Sequence, residues 1–187
     1  EKASNIEEAI AVLRDTPRAL GWNVVVGDAN GPTARAFEID AKDCNVFTSN
    51  DQKENQTTGH WAMEDCVRRT NHPCGMTKLK KMMAAYDKDF EMTPGNAAAA
   101  ISFLQTEDTW IRYDWMGKRI MERPGALDVR QCIDLLANGP VYNSDTLHSW
   151  VFDPKNKVAY VSQATVNPIA TATDCVFTKL DFAAWFR

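Results

Sequence analysis

Two strand–turn–strand segments stand at either end of a long helix-patterned block, and this order constrains the fold more than any other feature. The first segment is residues 22–27, with Val24, Val25 and Val26, the turn Asp28-Ala29-Asn30-Gly31-Pro32, and residues 33–40. A β-branched run on each side of a Gly/Asn/Pro turn predicts a hairpin. Residues 44–48 are a candidate third strand of the same meander. The second segment pairs residues 146–152 with 158–162 across the turn 153–157, and residues 174–180 are a candidate last strand.

Helical spacing fills the interval. Leu79, Met82, Met83 and Tyr86 form a stripe over residues 77–90. Thr93-Pro94 reads as an N-cap followed by a first-turn proline, opening a helix to about Leu104. Residues 108–121 form another, with Ile111, Trp115 and Ile120 inward, and residues 128–136 a further one, stopped by Gly139-Pro140. Asn5 caps a helix over residues 6–14 that Pro17 ends. Residues 49–59 read as a surface loop. Residues 61–70 are ambiguous, and their end is a candidate to enter the sheet. Strands in runs, with helices segregated from them, exclude a parallel doubly wound fold and predict α+β with largely antiparallel sheets.

Composition narrows the function. With 187 residues, 44% apolar and 25% charged, the chain has the material for one domain over residues 1–187 with a real core. A net charge of −4 argues against a nucleic-acid partner. No apolar run exceeds five residues, as at residues 97–101, far below the ~20 residues of a membrane span. The five cysteines, Cys44, Cys66, Cys74, Cys132 and Cys175, cannot all pair with one another, and their connectivity is open. The triplet Asn55-Gln56-Thr57 is a glycosylation sequon. Together with a start at Glu1 rather than Met, it points to a processed chain or a fragment that is secreted or lysosomal.

Three groups carry candidate chemistry, each beside a plainer reading. His72 and Cys74 are a candidate thiolate–imidazole dyad, but such pairs are normally distant in sequence, so a turn residue and a small buried cysteine is the stronger reading. His60, Cys66, His72 and Cys74 are all possible zinc ligands, in a spacing that fits no common zinc module. Arg68, Arg69, Lys78, Lys80 and Lys81 form a basic cluster that would attract a carboxylate, phosphate or anionic lipid, with a solvated helix face as the stronger reading. No phosphate loop, dinucleotide fingerprint, serine elbow or zinc-protease motif is present, and a calcium loop at Asp28 fails at Pro32.

The order of three segments is more specific. These are Gly21-Trp22-Asn23-Val24-Val25-Val26-Gly27-Asp28-Ala29-Asn30-Gly31 with Phe37-Glu38, then Arg69-Thr70-Asn71-His72, then His148-Ser149-Trp150-Val151-Phe152-Asp153-Pro154 with Lys157-Val158-Ala159-Tyr160-Val161. Over about residues 6–164 this order resembles the later part of the isopenicillin-N acyltransferase (acyl-coenzyme A:6-aminopenicillanic acid acyltransferase-like) family of N-terminal nucleophile hydrolases. The resemblance implies part of a four-layer αββα sandwich with mainly antiparallel sheets. It implies attack on a small acyl or aminoacyl amide by a chain-terminal cysteine whose own α-amino group is the base. Asn71 takes the place of the oxyanion-hole asparagine, an uncharged donor suited to a tetrahedral intermediate. The resemblance implies no cofactor and no metal.

Two departures shape the expectation. The family nucleophile and its neighbours have no counterpart here, and residues 141–147 lack the arginine that family members place before the late hairpin. The expected partner is therefore a companion chain from the same precursor that carries an N-terminal Cys. A half-built sandwich would otherwise expose strand edges and an apolar face. The alternatives are a catalytically inactive binding or structural module of the same fold, and a self-contained cysteine or zinc enzyme on His60, Cys66, His72 and Cys74.

Overall fold

The structure is a computed structural model that describes residues 3–31, 33–56, 60–86, 89, 91, 93, 95–125 and 127–183. Pro32 of the first turn, Thr57 of the sequon, the helix end at Phe90, Pro94 and the starting residue Glu1 lie outside the described residues. The chain divides into two compact units, residues 1–117 and 118–187.

The first unit opens with α1 (Ile6–Asp15), whose N-cap Asn5 accepts the Glu8 amide through its side chain, with Glu7 and Glu8 in the favourable first turn. A meander follows. β1 (Trp22–Asp28) pairs antiparallel with β2 (Thr33–Ile39), Trp22 opposite Ile39 and Asp28 opposite Thr33. β3 (Cys44–Phe47) pairs with the other edge of β2, so β2 is central. Being central, β2 holds Ala36, Phe37, Glu38 and Ile39 out of water. Helices α2 (Met76–Tyr86), α3 (Ala97–Leu104) and α4 (Asp108–Met121) come next. Leu79, Met83, Ala100 and Trp110 form their common core, with Met82 packed against it. The unit boundary falls inside α4.

The second unit continues with α5 (Val129–Ala137), started by an Asp128–Gln131 capping box. β4 (His148–Asp153) and β5 (Val158–Gln163) make the late hairpin, and β8 (Thr178–Asp181) pairs with the far edge of β5. A two-residue hairpin, β6 (Thr165–Val166) with β7 (Ile169–Ala170), lies between them. Edge strand β4 alternates, with Ser149 and Val151 buried and Trp150 and Phe152 exposed, while central β5 buries Val158, Ala159, Val161 and Ser162 on both of its faces. The chain is thus α+β with small antiparallel sheets, in the order that the sequence pattern predicts.

Three expectations are corrected. The inward face of α4 is Trp110, Tyr113 and Gly117, while Ile111 is 46% exposed. The phase is set by two aromatics three residues apart and by a glycine that leaves room for a neighbour. Residues 61–70 form no strand among the described residues, only an isolated bridge between Met63 and Cys66. Side chains take the segment's carbonyls instead, those of Trp61, Arg68 and Thr70 accepting from Arg68, Arg69 and Asn23. The last strand begins at Thr178, because residues 172–174 turn as a 3-10 helix first.

Candidate functional site

The segment from His60 to Gly75 has no regular structure, so its shape comes from side-chain hydrogen bonds. Asn23 on β1 donates from Nδ2 to the carbonyls of Thr70 (2.6 Å) and His72 (2.9 Å). Thr109, in the first turn of α4, accepts the amides of Asn71 (2.8 Å) and His72 (3.1 Å) on its hydroxyl. Thr70 donates its hydroxyl to the Thr109 carbonyl at 2.8 Å. The Thr70-Asn71-His72 turn is therefore held between a strand and a helix start.

This turn sends consecutive side chains in different directions. Asn71 is exposed, while His72 is buried. Asn71 Oδ1 accepts from Arg112 Nη2 at 2.8 Å, and Arg112 is itself braced by Asp108, four residues back on α4, at 2.8 Å. A guanidinium only donates, so the atom facing Arg112 is the carbonyl oxygen. The amide NH₂ of Asn71 has no partner among the described residues.

Beneath the turn lies a buried group that sequence reasoning only partly anticipates. His60 and His72 are coplanar, with 5° between their rings, and their Nε2 atoms face each other at 2.8 Å. Trp110 stacks on both, at 4.3 and 4.0 Å, and Tyr113 meets them edge-on. Burial first, and then the nearby Arg69 and Arg68 guanidinium groups, push the His60 imidazole down to about 3. Burial first, then His60 and the cations of Arg69 and Arg112, push His72 down to about 3. Both rings are therefore neutral. The donor atoms of His60, His72 and Cys74 lie within 4.8 Å of one another. Cys66 is outside this group, and its thiol faces the Val67 carbonyl at 3.6 Å.

Cys74 does not fit the dyad reading. Burial above all pushes its thiol up to about 12, against the pull of Arg69. A nucleophilic cysteine needs the opposite shift.

The basic cluster also divides. Lys80 and Lys81 are exposed, as a helix face would be, but Arg68, Arg69 and Lys78 are buried. Arg69 donates to Glu54 Oε1 at 2.6 Å, and its Nε lies 3.3 Å from Glu38 Oε1. Tyr113 donates its hydroxyl to the other Glu54 oxygen at 2.8 Å. Glu38 accepts the amides of Cys74 (2.6 Å) and Gly75 (3.1 Å). Its carboxyl is nonetheless raised above the usual range, because burial outweighs Arg69 and the two amides. The anion drawn to this part of the basic cluster is internal to the chain. Glu54, Trp110 and Tyr113 carry no motif, since they reach the site from 15 to 59 positions away in sequence.

Arg68 lies between the rings of Trp61 (4.1 Å) and Tyr113 (3.9 Å) and donates to the Tyr113 carbonyl at 3.0 Å. Gly117 makes room for this stack. A β-carbon there would come within 2.6 Å of both Arg68 Cζ and the Trp61 ring. Gly117→Ala is expected to destabilise the first unit by about 1–3 kcal/mol despite its better helix propensity. Thermal unfolding checks this, and an unchanged or higher midpoint would mean that the stack is not closely packed.

Compared with protein-family models, with curated proteins and with solved structures, the chain has no match in any of the three.

Proposed function

We propose that the chain is one processed part of an N-terminal cysteine amidohydrolase or acyltransferase acting on a small acyl or aminoacyl amide. The nucleophile comes from a companion chain of the same precursor, and the folded assembly is the four-layer αββα sandwich. One observation carries the reading: Asn71 is exposed, its backbone is pinned by Thr109, and Arg112 holds its carbonyl oxygen, so that its NH₂ is presented in a fixed orientation. A donor fixed before the reaction costs no reorganisation when charge develops on the substrate oxygen, and this is what an oxyanion hole requires.

In the proposed step the companion cysteine thiolate attacks the amide carbonyl carbon, and the electron pair of the C=O bond moves to oxygen. Asn71 donates an N–H to that oxygen. The intermediate collapses, expelling the amine with a proton from the companion's α-ammonium group, and leaves an acyl thioester. Water, or an acceptor amine in the transfer reaction, then releases the acyl group.

The exposed apolar side chains support a companion. Trp22 (62%) and Val25 (48%) lie on edge strand β1. Trp150 and Phe152 stack on each other on edge strand β4, with Phe152 63% exposed. Aromatics beside unpaired strand edges are surfaces that a further strand or sheet would cover.

Asn71→Ala is expected to lower turnover of a small N-acyl amide reporter by about 10²–10³ in the assembled protein, with the melting temperature unchanged. Unchanged turnover removes the oxyanion role. A thiol-reactive acyl electrophile should label the terminal cysteine of a co-purifying chain. Native material that is one stable chain, with no such cysteine, overturns the proposal as a whole.

A further inference from the structure

We propose that His60, His72 and Cys74 form a closed, three-coordinate site for a d10 metal cation, held by the two imidazole Nε2 atoms and the Cys74 thiolate. The site is separate from Asn71 and does not depend on the acyl-transfer reading. One ring nitrogen of each histidine and the Cys74 sulfur already lie within 4.8 Å of one another, and the two Nε2 atoms face each other. Donors on one such ion stand about 3.3–4 Å apart at ordinary metal–nitrogen and metal–sulfur bond lengths. Binding therefore requires the two Nε2 atoms, now 2.8 Å apart, to separate slightly and the sulfur to close in.

The hydrogen bonds around His72 hold its ring from the Nδ1 side. His72 Nδ1 lies 3.0 Å from Thr109 Oγ1 and 3.1 Å from Thr70 Oγ1. The Thr70 proton goes to the Thr109 carbonyl, so Thr70 Oγ1 can accept from Nδ1–H, and in that tautomer Nε2 presents a lone pair. Metal-bound histidines are commonly oriented in this way by a partner on the other nitrogen. Without an ion, one proton lies between the two Nε2 atoms. His60 Nδ1 is buried with no hydrogen-bond partner among the described residues. An ion between the two Nε2 atoms takes both lone pairs, with each ring proton on Nδ1.

Charge and access decide which ion fits. The surrounding charges, Arg68, Arg69 and Arg112 against Glu38 and Glu54, supply no excess of negative charge. A monovalent cation on one thiolate adds no net charge, whereas a divalent one leaves an uncompensated positive charge in a buried place, which is costly. Trp110 stacks over both rings, and all three ligands are buried, so the protein supplies a closed shell of three donors. Low coordination by thiolate and imidazole suits copper(I) better than zinc. Binding replaces the thiol proton: Cys74–SH and Cu(I) give Cys74–S–Cu and H⁺, with no change of oxidation state.

The test is to produce the full chain in copper- and in zinc-supplemented medium, purify it anaerobically with a reductant, and measure metal per chain. About one copper per chain is expected, with less zinc. Cys74→Ser and His60→Gln should each lower copper occupancy by about tenfold or more, while Cys132→Ser leaves it unchanged. X-ray absorption on the wild-type protein should find one sulfur and two nitrogen donors, a readout that does not depend on the variants folding. Negligible copper and zinc, occupancy unaffected by both ligand variants in folded protein, or a metal shell without sulfur overturns the proposal.

Discussion

Replacing Arg69 by Met is expected to destabilise the first unit by about 3–5 kcal/mol, the usual cost of leaving buried charges without their partner. The Arg69 side chain is 2% exposed, and it stands between two carboxylates that are equally sheltered, Glu38 at 1% and Glu54 at 5%. Methionine fills much of the volume but supplies no charge. Glu54 would then keep only the Tyr113 hydroxyl, and Glu38 only the amides of Cys74 and Gly75. Lys81→Met is the control. Lys81 pairs with Asp43 at 2.5 Å and Asp40 at 3.8 Å, but it is 54% exposed, so solvent screening leaves only a small loss. Urea unfolding, followed by tryptophan fluorescence, compares the two variants. Equal small losses would mean that the Glu38–Arg69–Glu54 group is not a buried load on the fold. Adding Glu38→Gln to Arg69→Met should restore part of the loss, since one stranded charge is then removed.

Acid is expected to unfold the metal-free protein from well above the carboxylate range. His60 and His72 are held near 3 in the folded chain but titrate near 6.5 once unfolded. The folded state therefore binds fewer protons than the unfolded state between those values. Stability is fully present above about pH 6.5 and falls as the pH drops toward 3, by up to about 1.4 kcal/mol per pH unit for each histidine. Glu38 acts in the opposite direction. Its raised carboxyl takes up a proton earlier in the folded state, which offsets part of the acid loss. At the other end, Cys74 remains a thiol to about 12 when folded but ionises near 8.5–9 when unfolded, so stability declines again above about pH 9. Denaturation midpoints measured from pH 9 to pH 4 should show a plateau between about 6.5 and 8.5 and a fall on the acid side. A flat profile from pH 7 to pH 5 would mean that the two imidazoles are not held neutral by burial.

How much of this was readable without coordinates differs from element to element. The Asn5 cap with Glu7 and Glu8 marks the start of α1 at Ile6. The Val24–Val26 run and the Asp28–Gly31 turn place the first hairpin, and Asp153-Pro154 with Lys157 places the second. These signals are local, so a short window contains them. The β6–β7 hairpin was not legible, because arms of two residues are too short to carry a period. The face of α4 was misjudged because Ile111, Trp115 and Ile120 fit a helical stripe as well as Trp110, Tyr113 and Gly117 do. Only the Arg68–Trp61 stack against Gly117 separates them.

The site divides along the same line. Thr-Asn-His and the nearby Cys74 are adjacent in sequence, so the chain by itself singles out Asn71, His72 and Cys74 as candidates for chemistry. What each does was decided by tertiary structure. Arg68 and Arg69, neighbours in a basic run, become buried cations, and Arg69 is met by Glu54 from a 3-10 turn and by Glu38 from a central strand. Asn71 faces out and His72 faces in because Asn23 and Thr109 hold the backbone between them. His60 joins His72 through burial under Trp110, a contact between residues 50 positions apart. Local sequence determines conformation through caps, turns and periodicity. Protonation state and side-chain orientation depend on which distant groups remove water, and only the folded chain brings those groups together.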